Sequence, residues 1–173
     1  MKNLLVVSST KNSNYELSTD IRDFFAKNND LCCSLVSLED FDLPLYTPTK
    51  EKHFKEKDSF PKDIEKVKNI FVDSDAIIWC SPEYNGGISP IVTNTLSWIS
   101  RVTIDWKDAF KDKNILICTS SGGNGKNFVK SFTQQLTYLG SQVMQKSIIK
   151  TKKKNINKNE FKDILNQFCK KIL

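Results

Sequence analysis

The chain has 173 residues, of which 39% are hydrophobic and 27% charged, which argues for one soluble globular domain with room for a real core. No apolar run approaches the roughly 20 residues of a membrane-spanning helix, so a membrane protein is excluded. The formal net charge of +6 invites a nucleic-acid or membrane-surface reading. Asn3–Ser8 reads as a buried strand, and its apolar stretch is too short for a signal peptide. Ser13 and Glu16 form an S-x-x-E capping box, and Leu17, Ile21, Phe24 and Phe25 recur at helical spacing, which predicts a helix over about 14–28. Leu31–Leu38 is a second strand. Pro44 and Pro48 make 42–48 a loop, and the charged stretch 50–58 is expected to continue it as a flexible connection. Pro61 opens the next helix, with Ile64, Val67, Ile70 and Phe71 on one face.

Asp75–Cys80 is the third strand and Ser81–Ile88 a loop. Ser89-Pro90 has the form of an N-cap with proline in the first turn, and Ile91, Thr95, Leu96 and Ile99 give that helix its apolar face. Asn114–Thr119 is the fourth strand and Ser120–Gly125 a glycine-rich loop. A helix from about Lys126 carries Phe128, Phe132, Leu136 and Leu139, and Gly140 is placed to end it. Ser141–Ile149 reads as a fifth strand. Asn157 and Glu160 cap a last helix with Phe161, Ile164, Leu165, Phe168 and Ile172 inward. Five strands alternating with five helices predict an α/β three-layer sandwich with a parallel sheet. The flavodoxin-like strand order 2-1-3-4-5 fits, and ligands then sit outside the carboxyl ends of the strands.

The loops at those ends are specialised. The first, Ser8-Ser9-Thr10-Lys11-Asn12-Ser13-Asn14, brings hydroxyls, a cation and a helix N-terminus to one place, which suits a phosphate. It lacks G-x-G-x-x-G and so is not the dinucleotide fingerprint; the bland reading makes Ser13 a helix cap only. The second, Ser81–Pro90, has two prolines and two glycines that fix the backbone and let a flat ligand approach, with Tyr84 and Asn85 as aromatic face and polar partner; the bland reading is a strand-to-helix turn. The third, Ser120-Ser121-Gly122-Gly123-Asn124-Gly125-Lys126, fails the P-loop pattern at positions 120 and 127. That disfavours nucleotide hydrolysis but leaves backbone N–H groups for a ring edge.

In this order, the loops resemble the NADPH-dependent FMN reductase family. The resemblance runs from the first strand to about Val143. It rests on Leu43-Pro44-Leu45-Tyr46, on Pro82-Glu83-Tyr84-Asn85 (the most specific element), on Asn94 and Trp98 in the next helix, on Ser121–Gly125, and on Gln135–Gly140. It implies an FMN protein using NAD(P)H as co-substrate and a small acceptor: a quinone, azo compound, metal ion or free flavin. It places the FMN phosphate at Ser9, Thr10, Lys11, Ser13 and Asn14. It lines the flavin with Pro82, Glu83, Tyr84, Asn85 and Gly86, and completes the ring pocket with Ser121, Gly122, Gly123 and Asn124. Chemistry is left to the flavin, with no catalytic side chain; Glu83 is expected to be structural or at a subunit contact. A homodimer or homotetramer is implied, with Trp98, Ile99 and Trp106 as candidate contact residues or, equally, core aromatics. The first loop departs from the family's G-S-x-R opening, with Ser8 for glycine and Lys11 for arginine, so phosphate contact is a point charge rather than a fork.

A flavodoxin-type electron carrier and a flavin-free interaction module are the alternatives. Five cysteines with no C-x-x-C pair form neither a disulfide framework nor a zinc site, which points to the cytoplasm, a reducing compartment, and to no metal. Cys80 and Cys118 end apolar runs and read as buried hydrophobes, while His53, the single histidine, reads as a solvated loop residue. The charge is local. Residues 144–173 hold nine lysines against Glu160 and Asp163, an excess of +7, and the remaining 143 residues sum to −1. No aromatic side chains interleave with Lys152-Lys153-Lys154 to stack bases, so a solvated basic tail is expected and nucleic acid is not a partner.

Overall fold

The computed structural model describes residues 1–153 and 155–173. The chain runs β1 (Lys2–Ser8), α1 (Ser13–Phe25), β2 (Leu31–Ser37), a 3-10 turn (Leu38–Asp40), α2 (Pro48–Glu56), α3 (Lys62–Val72), β3 (Ala76–Cys80), α4 (Pro90–Val102), β4 (Asn114–Ser121), α5 (Lys126–Tyr138), β5 (Gln142–Val143), β6 (Ile148–Thr151) and α6 (Lys158–Ile172). The sheet is parallel, in the expected order β2-β1-β3-β4-β5, and β6 also pairs with β4.

Strand alternation divides the core. Leu5, Val7, Ile77, Trp79, Ile115 and Ile117 face one side, where they meet Val67 and Phe71 of α3, Leu96 and Ile99 of α4, and Phe128, Phe132 and Leu136 of α5. Leu4, Val6, Ile78, Cys80, Leu116 and Cys118 face the other, against Leu17 and Ile21 of α1 and Ile164, Leu165 and Phe168 of α6. The central strands are buried on both faces, as a covered parallel sheet requires. Cys80 and Cys118 are side by side in the β3–β4 register and fully buried. Burial pushes the Cys118 thiol well above its ordinary range, so it packs as a hydrophobe.

Two sequence expectations need correction, and one open alternative is decided. The stretch 50–58 is not an irregular connection: α2 covers most of it. Thr47 caps α2 by accepting from Lys50 N–H, Pro48 sits in its first turn, and Glu51 pairs with Lys55 at 2.7 Å. No residue of α2 is buried, so the apolar periodicity that reveals a helix is missing. His53 is exposed, as expected, but on this helix rather than in a loop. The fifth strand is two pieces. β5 pairs with Asn114–Ile115 and β6 with Cys118–Ser121, so they follow one another along the same edge of β4. Finally, Trp98 and Ile99 are fully buried and belong to the core; of the three candidate contact residues, Trp106 alone is exposed.

Candidate functional site

β1, β3 and β4 end at the same edge of the sheet, at Ser8, Cys80 and Ser121. The loops continue the ladder by one bond each: Ser9 N–H donates to Cys80 O at 2.9 Å and Ser81 N–H to Cys118 O at 3.1 Å. The three loops singled out in the sequence therefore leave the sheet next to one another.

In the first loop, Ser8 Oγ turns back and donates to Thr10 O at 2.8 Å. Asn12, not Ser13, caps α1. Its side-chain oxygen accepts from Asn14 N–H at 3.2 Å and from Thr10 Oγ1 at 2.8 Å. Ser13 is the exposed first residue of α1. Ser9 Oγ is buried and has no hydrogen-bond partner among the described residues, a state that costs about 1–3 kcal/mol. Nor do the main-chain N–H groups of Lys11, Asn12 and Ser13 donate within the described residues. A phosphate needs donors of this kind. Lys11 is turned toward Asp40, just after β2, and forms an ion pair with it in which both side chains are about half exposed. The hydrogen bond and charge of Asp40 raise the Lys11 ammonium above its usual value. Asn14 is fully buried: its Nδ2 donates to Ser120 O at 2.9 Å and its Oδ1 accepts from Ser120 N–H at 2.8 Å. Its amide is thus committed to tying the first loop to the end of β4.

The second loop contains a tight hairpin. Tyr84 and Gly87 exchange main-chain bonds at 3.2 and 2.9 Å, with Asn85 at φ +50° and Gly86 at φ +71° between them. Two successive positive φ values define a turn that selects Asn-Gly. Pro82 is buried, while Tyr84, Asn85 and Gly86 are exposed at the tip. Glu83 points back: its N–H donates to Ser121 Oγ at 2.8 Å, and its Oε2 accepts from Phe128 N–H in α5 at 3.0 Å. In the third loop, Ser121 Oγ is also 2.7 Å from Thr119 Oγ1, and Asn124 Oδ1 accepts from Lys126 N–H at 2.9 Å. Gly122, Gly123 and Asn124 are exposed. A cavity of about 590 Å³ opens on the far side of this loop, toward Ile149, Ile156 and Glu160; no first-loop residue lines it.

The segment Leu43–Tyr46 is pinned to α4 by the residues of the matching helix motif. Trp98 Nε1 donates to Pro44 O at 2.6 Å, Asn94 Nδ2 to Pro44 O at 3.2 Å, and Tyr46 N–H to Asn94 Oδ1 at 2.7 Å. Tyr46 OH donates to Glu51 Oε2 at 2.7 Å, which raises the phenol above its usual range. Lys55 and then Tyr46 hold the Glu51 carboxyl down. Leu45, within this segment, is 71% exposed.

A sequence profile described as NADPH-dependent FMN reductase matches residues 1–155. The chain belongs to that family. It is an NAD(P)H-dependent oxidoreductase with FMN as cofactor. Among its relatives, an uncharacterised Mycoplasma pneumoniae protein is 27% identical over 146 residues, 81% of each chain. A quinone reductase of Escherichia coli is 28% identical over 107 residues, which are 61% of this chain and 53% of the relative; the alignment thus spans about half of that enzyme. Among solved structures, the flavoenzyme NAD(P)H:(acceptor) oxidoreductase of Paracoccus denitrificans superposes with a TM-score of 0.75 at 17% identity, over 99% of this chain and 95% of that one. An archaeal flavodoxin reaches 0.63 at 12% identity, covering 99% of both chains. These likenesses establish the flavodoxin-like fold.

The reductase's first loop fits a phosphate-bearing flavin through the orphaned Ser9 hydroxyl and the unspent N–H groups. Two residues escaped the sequence reading. Asp40 lies beyond the end of β2, 29 residues from Lys11, and no local pattern marks the two as partners. Asn12 caps α1 although Ser13 and Glu16 carry the capping-box pattern, because asparagine caps as well as serine.

Proposed function

We propose that this reductase passes hydride from NAD(P)H, through FMN, to a small oxidised acceptor of the quinone class. The observation that carries the reading is the set of donors left without partners in the first loop, above all the buried Ser9 Oγ. In this reading Ser9, Thr10, Ser13 and the loop N–H groups receive the phosphate, with the Lys11 ammonium exchanging Asp40 for it. Asn14 acts behind the loop, setting its position against Ser120. Pro82, Tyr84, Asn85 and Gly86 lie along one side of the ring, with the Tyr84 aromatic at the rim and Glu83 turned back into the protein, and Ser121–Asn124 offer backbone N–H groups to its polar edge. FMN, when bound, supplies the hydride acceptor and donor chemistry. The protein's task is to hold the cofactor with one face open to NAD(P)H and acceptor in turn. Azo compounds, metal ions and free flavin are further candidate acceptors, and the names of the sequence relatives favour quinones. A homodimer or homotetramer belongs to the same reading. Among the described residues no helix is long and apolar enough to cross a membrane.

The experiment is to mix micromolar apoprotein with FMN, then add NAD(P)H and a quinone. Quenched flavin fluorescence, a shifted visible spectrum and steady NAD(P)H oxidation are expected. Unquenched, unshifted flavin would overturn the FMN site, and bound FMN without turnover would instead indicate a one-electron carrier.

A further inference from the structure

Helix α5 starts under a constraint its own sequence does not relieve. Its N-cap position is Gly125, at φ +68° and ψ −2°, which contributes no side-chain cap. A Cβ there would lie 2.7 Å from Thr119 Cγ2, closer than real Cβ contacts come, and a tight 3.3 Å from Ile149 Cγ2. The serine, threonine or aspartate that usually caps a helix is therefore barred. The first turn holds no acidic residue, and its first residue is Lys126, a cation where the helix dipole favours an anion. Asn124 takes the Lys126 N–H. The Phe128 N–H, one turn in, is taken by the carboxylate of Glu83, 45 residues earlier in the chain.

We propose that Glu83 is a positioning residue: it supplies from the β3–α4 loop the N-terminal cap that α5 lacks, and so fixes the glycine-rich loop against the Pro82–Asn85 loop. Three features support this. The carboxylate meets an N–H at a helix N-terminus, where charge-assisted bonds are strong. The main chain of Glu83 is held at the same time by Ser121 Oγ, itself bonded to Thr119, so residue 83 is tied to β4 and to α5 together. Gly123 passes close by: a Cβ there would come 3.7 Å from Glu83 Oε1. The acid of this motif thus faces the protein, while its neighbours Tyr84 and Asn85 are exposed. Its effect on flavin is indirect, through the spacing of the two loops that flank the ring, and to that extent it rests on the proposed FMN site.

The test reads amide hydrogen exchange in the apoprotein together with FMN affinity. Glu83→Ala is expected to speed exchange at Phe128 N–H at least about tenfold and to weaken FMN binding about tenfold. Glu83→Gln keeps an oxygen that can accept the bond, and is expected to stay within about threefold of the unaltered protein on both counts. If Glu83→Ala does not fold, Glu83→Asp, one methylene short of Phe128, is read the same way. Unchanged Phe128 protection in the alanine variant would overturn the proposal. So would Glu83→Gln losing as much FMN affinity as Glu83→Ala while Phe128 stays protected, because charge or direct contact would then be at work. Failure of the unaltered protein to bind FMN would refute the functional reading and leave the exchange result standing.

Discussion

The first loop and the pair formed by the second and third loops sit at the same edge of one sheet, yet their side chains do different work. In the pair, the polar side chains have partners: the Glu83 carboxylate accepts from Phe128 N–H, Ser121 Oγ from Glu83 N–H while bonded to Thr119 Oγ1, and Asn124 Oδ1 from Lys126 N–H. In the first loop, the Ser9 hydroxyl and three successive N–H groups have no partner among the described residues, and the cation is lent to a neighbouring carboxylate. The difference separates two duties. Cross-linked side chains hold the pair in shape and leave the N–H groups of residues 122–125 for a ring edge, while the first loop's buried hydroxyl, cation and free N–H groups suit an anion. Asn14 joins the two, since its amide grips Ser120 from the first loop.

That contrast can be broken from several directions. The largest effect is expected at Gly125. Gly125→Ala combines a left-handed φ with a 2.7 Å clash, and a loss of about 2–4 kcal/mol in unfolding free energy is expected by denaturant titration. Asn14→Ala comes next. It leaves both main-chain groups of buried Ser120 without their partner, a cost of about 2–3 kcal/mol, and FMN affinity falls with stability because the phosphate loop loses its anchor. Retained affinity in that variant would mean the two regions act independently.

Asp40→Asn sharpens the comparison in the other direction. It releases Lys11 and lowers the ammonium pKa that Asp40 holds up. FMN affinity is expected to rise a few-fold at low ionic strength, with the gain shrinking as salt screens the charges. No gain would place Lys11 outside the phosphate site. The smallest effect is expected at the hairpin tip. Asn85→Ala strains a φ of +50° and is expected to weaken FMN about fivefold, whereas Asn85→Gly, at ease in that conformation, loses about twofold. Equal losses would assign the role to the side chain rather than to the turn.

The first four strands were legible as short runs bounded by loop signals, and their order followed from the flavodoxin-like pattern that strand–helix alternation fits. α2 was not, since no residue in it is buried and periodicity reports burial alone. Its Thr47-Pro48 start carries the same signal that correctly marks Ser89-Pro90. Within the site, Pro82-Glu83-Tyr84-Asn85 was legible as a specialised loop after β3, but not the arrangement of its residues. Asn85-Gly86 is a hairpin signal in its own right, and Glu83 is turned inward for a helix that the chain reaches only 45 residues later. Asn14 and Ser120 lie 106 residues apart, and local sequence cannot announce such a partnership. Lys152 and Lys153 are exposed, as a solvated basic tail requires; Lys154 lies outside the described residues.

The measurement that bears most directly on the central claim compares FMN with riboflavin on the apoprotein, by fluorescence quenching at low and moderate salt. The two differ by the phosphate alone. The unspent donors of the first loop predict that FMN binds at least about a hundredfold tighter, and that Ser9→Ala removes much of the difference. Riboflavin binding as tightly as FMN would contradict the assignment of that loop to phosphate.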